Sequence, residues 1–347
     1  MKDLANSVLE KIKDYRNSDG IQITVESILK WAEQFGKDAE FMLTEINHIL
    51  PQTYIPLEIA RNWIKSHIET MLSDSKYGSI TEFLSETEFL DMQPIGKSQN
   101  VILELVDEVL VAEYQHSFKD YVTFPKTNFV YFDDVLASGG TIGGQVIDWL
   151  KLKNDGRNEN HLRISKDEFR LSIHLFCLHT WGHSFQKIRI SKTFSQALER
   201  KIKWYRNFEI QNHIKFHGEE LNIAIPVKDQ PNNAKTYLAN LNAQKYEDYA
   251  YRPDNIPAKE SFFSSPENRV KYEGILLQKG LLIIDMIQGP VSPNIRPLGF
   301  INPNYKTYGL GTHFFTWRNI PNNAPLALWW EVPGHDWHPL FPARRRN

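Results

Sequence analysis

The 347-residue chain carries 40 Lys and Arg against 42 Asp and Glu, for a formal net charge of −2, and 41% of its residues are apolar. This composition is typical of an ordered globular protein, and the length favours two units or one core with large additions. The near-neutral balance excludes a global field that recruits nucleic acid or anionic lipid, so a nucleic-acid partner would need a local basic patch.

The sequence lacks the features of export and of a membrane span. Its first residues carry charges where a signal peptide needs an apolar run, and no stretch reaches the ~20 apolar residues of a membrane span. Cys177 is the single cysteine, which excludes a disulfide within the chain and a Cys-rich zinc site. We therefore expect a cytoplasmic protein with no membrane partner.

Apolar residues recur at helical spacing in the first part of the chain, for example at Leu4, Val8 and Ile12. This pattern predicts an α-helical unit over residues 1–87. From about residue 89, short apolar runs alternate with turns and helical patterns, which predicts an α/β core with a mainly parallel sheet over residues 88–347. The predicted strands are 89–95, 129–132, 171–178 and, more weakly, 221–227 and 280–286; the predicted helices are 100–114, 142–152 and most of 183–205.

The most informative segment is 129–141, with the sequence FVYFDDVLASGGT. A buried strand leads to two acids, Asp133 and Asp134, in a predicted loop over residues 133–141, and small residues then open a helix. Ligands of an open parallel sheet bind at the carboxyl ends of its strands. Backbone amides at a helix N-terminus hold phosphate, whereas carboxylates pair with sugar hydroxyls or a hydrated metal. A ribose 5-phosphate presents both groups at this spacing.

This segment resembles the signature with which type I phosphoribosyltransferases bind 5-phosphoribosyl-1-pyrophosphate (PRPP). The resemblance implies that Asp133 and Asp134, the catalytic pair, bind the ribose 2- and 3-hydroxyls. It also implies that a loop holds the 5-phosphate, formed by Ala137, Ser138, Gly139, Gly140 and Thr141. The implied cofactor is Mg²⁺, which PRPP carries and which no side chain ligates directly. In one arrangement a water molecule bridges the ion to Asp133. An ordinary Asp-Asp turn before a helix is the alternative.

A second loop follows the first predicted core strand. Type I phosphoribosyltransferases hold pyrophosphate on a turn at this place, so the resemblance implies that role for Gly96, Lys97 and Ser98. A plain strand-to-helix turn is the alternative. The sequence Gly-Lys-Ser at 96–98 matches the end of a Walker A motif. The first glycine of that motif would fall at position 91, which is Asp91, and this argues against a P-loop.

Residues 115–126 lie where the family often carries a mobile lid, with Lys119 and Lys126 as candidate pyrophosphate contacts. A surface loop with two solvated lysines is the alternative. The basic, aromatic stretch 187–206 is typical of a solvated face, with a nucleic-acid surface as the other interpretation. The basic tail, residues 344–346, is interpreted as solvated.

Histidines cluster in the sequence around the third core strand. His174, Cys177, His179 and His183 have the chemistry of zinc ligands, but alternation along a strand separates His174 from Cys177 and His179. His179 and His183 are instead candidates for lining an acceptor pocket, because they lie at the carboxyl end of that strand. Turn and packing roles are favoured for residues 335–338.

Two C-terminal segments extend the resemblance. The sequences WRNIPNNAPL at 317–326 and WHPLFP at 337–342 are similar to segments of phosphoribosyltransferase-like proteins encoded in bacterial conflict systems. The resemblance then covers about residues 89–341, and it implies an effector or regulator of antiphage defence with a protein partner. Three functions remain open: a phosphoribosyl-transferring enzyme, a PRPP- or nucleotide-sensing regulator without transfer, and an interaction module of a defence complex.

Overall fold

A computed structural model of the chain describes residues 1–75, 77–123, 125–153, 156, 158–215 and 219–343. The basic tail lies outside these ranges. In chain order the helices and strands are α1 (Lys2–Ile12), α2 (Val25–Glu33), α3 (Ala39–Thr53), β1 (Tyr54–Ile55), α4 (Leu57–Ser75), α5 (Ile80–Glu86), β2 (Thr87–Phe89), α6 (Ser98–Tyr114), β3 (Asn128–Leu136), α7 (Gly140–Lys151), α8 (Asn160–Ser165), β4 (Arg170–His179), α9 (Thr180–Thr193), α10 (Gln196–Lys201), β5 (Lys203–Ile210), α11 (Asn232–Asn240), α12 (Pro266–Asp285), β6 (Phe315–Thr316) and α13 (Leu326–Trp329). None of these helices is long and apolar enough to cross a membrane.

The chain divides into two compact units. The composite unit combines Met1–Leu57 with Gln211–Asn347, and the sheet unit is Glu58–Ile210. The predicted division between residues 87 and 88 falls inside the sheet unit, where β2 pairs with β3. A domain boundary at that position stays a prediction.

The composite unit begins with the predicted helices. Thr24 caps α2, where its Oγ1 accepts a hydrogen bond from the Ser27 amide at 3.1 Å. Trp31 of α2 is fully buried, and its indole N–H donates to the Ala327 carbonyl of α13 at 2.9 Å. The first and last segments of the chain therefore share one core.

Two strands predicted for the composite unit are wrong. Residues 280–286 lie largely in helix α12, since this apolar run continues a helical row of buried residues that begins earlier in the helix. Residues 221–227 form no strand and make only the isolated bridge from Ile223 to Thr312. The Leu221 and Ile223 carbonyls accept hydrogen bonds from the guanidinium group of Arg269 instead.

The sheet unit confirms the predicted fold class, an α/β core with a parallel sheet flanked by helices. Its strands pair in the order β2-β3-β4-β5, and each pairing is parallel. Phe129 and Tyr131 of β3 pack in one apolar cluster with Val146 and Leu150 of α7. This packing fixes α7, and therefore the turn that opens it, against the middle of the sheet.

The boundaries of two predicted elements change. Of the strand predicted at 89–95 only Phe89 lies in a strand: β2 runs from Thr87 to Phe89, and the chain leaves the sheet after the Leu90 amide bonds to the Val130 carbonyl at 2.8 Å. The segment 183–205, predicted to be mostly helical, contains α9, α10 and the start of β5. Strand β5 is largely exposed and charged, so its sequence has no apolar alternation that marks a strand.

Candidate functional site

The two acids lie within β3 and not in the loop that was predicted to begin at residue 133. Pairing of Asp133 with Leu175 and of Val135 with Cys177 continues the ladder past both acids. Asp133 is only 3% exposed and Asp134 8% exposed. A strand therefore holds the pair rigidly at its carboxyl end.

Asp133 is surrounded by donors. One carboxylate oxygen accepts hydrogen bonds from Gln93 Nε2 at 2.6 Å and from the Tyr131 hydroxyl at 3.1 Å. The other accepts from the backbone amide of Asp134 at 2.9 Å. Burial, followed by the neighbouring charge of Asp134, raises the pKa of Asp133 to about 7, although the Asp134 amide and, to a smaller extent, the Ser98 side chain act in the opposite direction. This carboxyl group therefore changes charge near neutral pH.

Two glutamine side chains, of Gln99 and Gln145, tie the loop before α6 to the core, and sequence analysis did not identify these roles. Gln99 Oε1 accepts from the amides of Met92 and Gln93 at 2.7 and 3.0 Å. Gln145 of α7 donates to the Met92 carbonyl at 3.2 Å and lies 2.8 Å from the Tyr131 hydroxyl. Amide side chains suit this role because each one can donate and accept hydrogen bonds. No spacing pattern in the sequence predicts where such residues occur.

The proposed phosphate loop has the geometry of an anion site. Gly139 caps α7 with φ +75°, a left-handed conformation that favours glycine. Ser138, Gly140 and Thr141 are not buried, whereas Gly139 is buried. The first amides of α7 have no partner within the helix, and its dipole favours negative charge at this end.

The second loop meets strand β3 at Asp133, upstream of the predicted phosphate loop. Gln93 donates a hydrogen bond to the Asp133 carboxylate, and the Ser98 side chain at the start of α6 acts to lower the pKa of that group. Gly96 has φ +87°, which needs glycine, and Lys97 is exposed at the N-cap of α6. The structure thus ties the second loop to the acid pair and leaves a lysine at the surface of that loop.

The remaining candidates have partners of their own. Lys119 pairs with Asp107 at 2.9 Å, and Lys126 donates to the Leu84 and Ser85 carbonyls at 2.9 and 3.2 Å, so these lysines already bind within the chain.

Histidines 174 and 179 are buried in β4, whereas His183 is partly buried in α9, with its ring edge-on to Trp204 at 5.0 Å. Burial lowers the pKa of His179 to about 3 and that of His183 to about 4. Among the described residues no group of three or more His, Cys, Asp and Glu side chains is placed to hold a metal ion.

The family model described as PRTase-CE matches residues 28–343, which is most of the chain and includes both units. The chain belongs to the PRTase-CE family. A phosphoribosyltransferase-like protein is therefore supported, in agreement with the parallel α/β core. No curated protein and no solved structure matches the chain.

In this PRTase-CE protein the C-terminal segment 317–326 packs backbone against backbone. The Asn322 carbonyl accepts from the Phe300 amide at 2.8 Å, and the Asn323 carbonyl accepts from the Thr312 amide at 3.1 Å. A Cβ atom on Gly299 would lie only 2.2 Å from the Asn323 carbonyl oxygen. Close backbone packing against this segment therefore accounts for the glycine at position 299.

Proposed function

We propose that this PRTase-CE protein binds PRPP and transfers its phosphoribosyl group to an acceptor, with release of pyrophosphate. The observation that supports the proposal is the convergence on Asp133. Two residues separate the acid pair from the α7 phosphate loop in the chain, and Gln93 of the other loop donates a hydrogen bond to the Asp133 carboxylate. A ligand with a phosphate at each end of a ribose matches two such loops with an acid pair between them.

In the proposed reaction the bond between ribose C1 and the pyrophosphate oxygen breaks and the pyrophosphate leaves with the electron pair. A bond from C1 to the acceptor forms as the acceptor loses a proton. Asp133 and Asp134 hold the ribose hydroxyls, and the α7 loop holds the 5-phosphate through Ala137, Ser138, Gly139, Gly140 and Thr141. Gly96, Lys97 and Ser98 hold the pyrophosphate. Positioning and neutralisation of charge on the leaving group supply the rate enhancement, so no covalent nucleophile is required.

The donor chemistry at the acid pair fits Mg²⁺. Proteins hold this ion through one or two carboxylates together with substrate phosphates, and most of its other ligands are waters. Asp133 and Asp134 would hold it through water, beside the loop proposed for the diphosphate. When bound, the ion neutralises negative charge on the leaving pyrophosphate.

One observation favours a second candidate function, a PRPP or nucleotide sensor without transfer. Both oxygens of Asp133 already accept hydrogen bonds within the protein, so this carboxylate is occupied before any ligand arrives. For either function we propose a setting in antiphage defence beside a protein partner, on the similarity of the C-terminal segments to conflict-system proteins.

Calorimetric titration of PRPP with MgCl₂ into the purified chain tests the proposal, followed by an assay of pyrophosphate release on the same sample. Binding with release supports the transferase. Binding without release, across a panel of bases, nucleotides and a cell extract as acceptors, supports the sensor. Absence of binding at millimolar PRPP rejects both.

A further inference from the structure

Gln186 of α9 is an unexplained buried polar residue. Its side chain is fully buried, and neither Nε2 nor Oε1 has a hydrogen-bond partner among the described residues. A buried amide without partners destabilises a fold by about 1–3 kcal/mol for each unpaired group, and an apolar side chain of the same size avoids this cost. A glutamine at this position is therefore better explained by a partner that the free protein lacks.

The Gln186 amide lies directly against the phosphate loop. A Cβ atom built on Gly139 would lie 2.6 Å from Nε2, and one built on Gly143 would lie 1.7 Å from Oε1. The glutamine thus occupies the space that two missing side chains leave on the first turn of α7. Gly143 lies outside the phosphate-binding pattern, so this close approach gives a reason for a glycine at that position.

A second contact joins the same face of α9 to the loop. Gly182 lies one turn before Gln186, and positions four apart share a helix face. A Cβ atom on Gly182 would lie 2.0 Å from the backbone oxygen of Ala137, at the start of the loop. Helix α9 therefore packs against the loop at Ala137 and at Gly139.

We propose that Gln186 is a positioning residue of the 5-phosphate loop: it holds the turn from α9, and its side-chain N–H gains an acceptor when a phosphate monoester occupies the loop. The inference rests on the proposed function. It extends that function to a helix that the signature sequence does not include. The unpaired amide lowers the stability of the free protein and is paired in the complex, which is the trade-off common at binding sites.

The test compares Gln186→Met with the wild type and with Gln278→Met. Gln278 lies in α12 and is half-buried; its Oε1 accepts from Asn233 at 2.7 Å, but its Nε2 is buried without a partner among the described residues, so it is a control for an unpaired amide nitrogen away from the loop. Ribose 5-phosphate and PRPP, each with MgCl₂, are titrated calorimetrically, and thermal unfolding is followed without ligand. We expect Gln186→Met to raise the unfolding midpoint by about 2 °C or more. We also expect it to weaken the binding of both ligands by the same factor, about tenfold or more. Gln278→Met changes only the midpoint.

Wild-type affinity for both ligands in Gln186→Met would overturn the inference and leave a packing residue. Loss of PRPP affinity alone would also overturn it, because the 5-phosphate is common to both ligands. If the wild type binds neither ligand, the proposed function and this inference fail together. If Gln186→Met does not fold, Gln186→Asn, which keeps the amide but withdraws it from the loop, has to show the same loss for both ligands.

Discussion

Two buried polar sites, one in each compact unit, are arranged differently. In the composite unit, Arg252 pairs with Glu273 at 3.0 Å, while Arg269 pairs with Glu273 at 3.3 Å and also contacts Glu260. Each of these side chains is at most 5% exposed, and each charge faces an opposite one. In the sheet unit, Gln186 is just as buried, but its amide atoms have no partner among the described residues.

The difference separates a structural polar cluster from a candidate binding site. Within a protein, a fully paired network rigidifies the fold, whereas unpaired buried polar groups are a cost, and such costs concentrate where a ligand or a reaction uses them. Asp133 lies between these two cases: its oxygens accept hydrogen bonds from Gln93, Tyr131 and the Asp134 amide, but burial and the like charge of Asp134 raise its pKa to about 7.

The largest expected effect breaks the paired network. Glu273→Leu removes the acid shared by Arg252 and Arg269, and we expect a loss of about 3–5 kcal/mol in the free energy of unfolding, because two guanidinium groups lose a buried counter-charge. Urea denaturation measures it. Glu247→Gln breaks the exposed pair with Lys306 and is the control, with a loss below about 1 kcal/mol. A loss below about 1 kcal/mol in Glu273→Leu would contradict the structural role of the network.

The second prediction concerns the acid pair. Asp133→Asn combined with Asp134→Asn should weaken PRPP binding at least ~100-fold, equivalent to about 2.7 kcal/mol, since the amides cannot provide negative charge to the ribose and its hydrated ion. Calorimetry measures the affinity. The fold should persist, because the amide introduced at position 133 still offers an oxygen to Gln93. A double variant that stays folded and binds PRPP like the wild type removes the ribose assignment.

Sequence patterns predicted the fold class and the parallel strands around the acids, because apolar runs and small-residue turns are local signals. They did not predict that β3 extends through Asp133 and Asp134, since ladder pairing with β4 decides where a strand ends. Nor did they find Gln99, Gln145 or Gln186. Gln99 reaches the Phe132 carbonyl and Gln145 reaches the Met92 carbonyl, both distant in sequence. Gln186 fills the space beside two glycines, Gly139 and Gly143, which no local pattern connects with it.

The third prediction tests the phosphate loop. Thr141 is exposed in the first turn of α7, and we expect Thr141→Ala to weaken PRPP and ribose 5-phosphate by about 1–3 kcal/mol, the contribution of a hydroxyl donor to a charged group. Thr141→Ser keeps the hydroxyl and should restore most of the affinity. Equal affinities in the alanine and serine variants would show that the hydroxyl does not contact the phosphate.

A fully paired polar chain in the sheet unit sharpens the comparison further. The Ser172 hydroxyl lies 3.0 Å from His174 Nε2, His174 Nδ1 lies 3.1 Å from His67 Nδ1, and His67 Nε2 lies 2.6 Å from Asn207 Oδ1. Neutral rings satisfy every link if Ser172 donates to His174, His174 to His67, and His67 to the Asn207 carbonyl. A proton added to His67 Nδ1 would face the N–H of His174, whereas a proton added to His174 Nε2 would face the Ser172 hydroxyl, which can turn to accept it.

The smallest expected effect follows from this chain. Burial lowers the pKa of His67 and, more strongly, of His174, whose pKa the neighbouring ring lowers further. The unfolded rings take up protons below about pH 6.5 and the folded rings do not, so each contributes a loss of up to about 1.4 kcal/mol of unfolding free energy per pH unit below that value. Urea denaturation between pH 7.5 and 5 measures the slope. His67→Gln with His174→Gln should reduce this slope, because two buried rings that stay neutral in the folded chain are removed. Other buried histidines keep part of the slope. An unchanged slope would mean that neither ring differs in its proton uptake between the folded and unfolded chain.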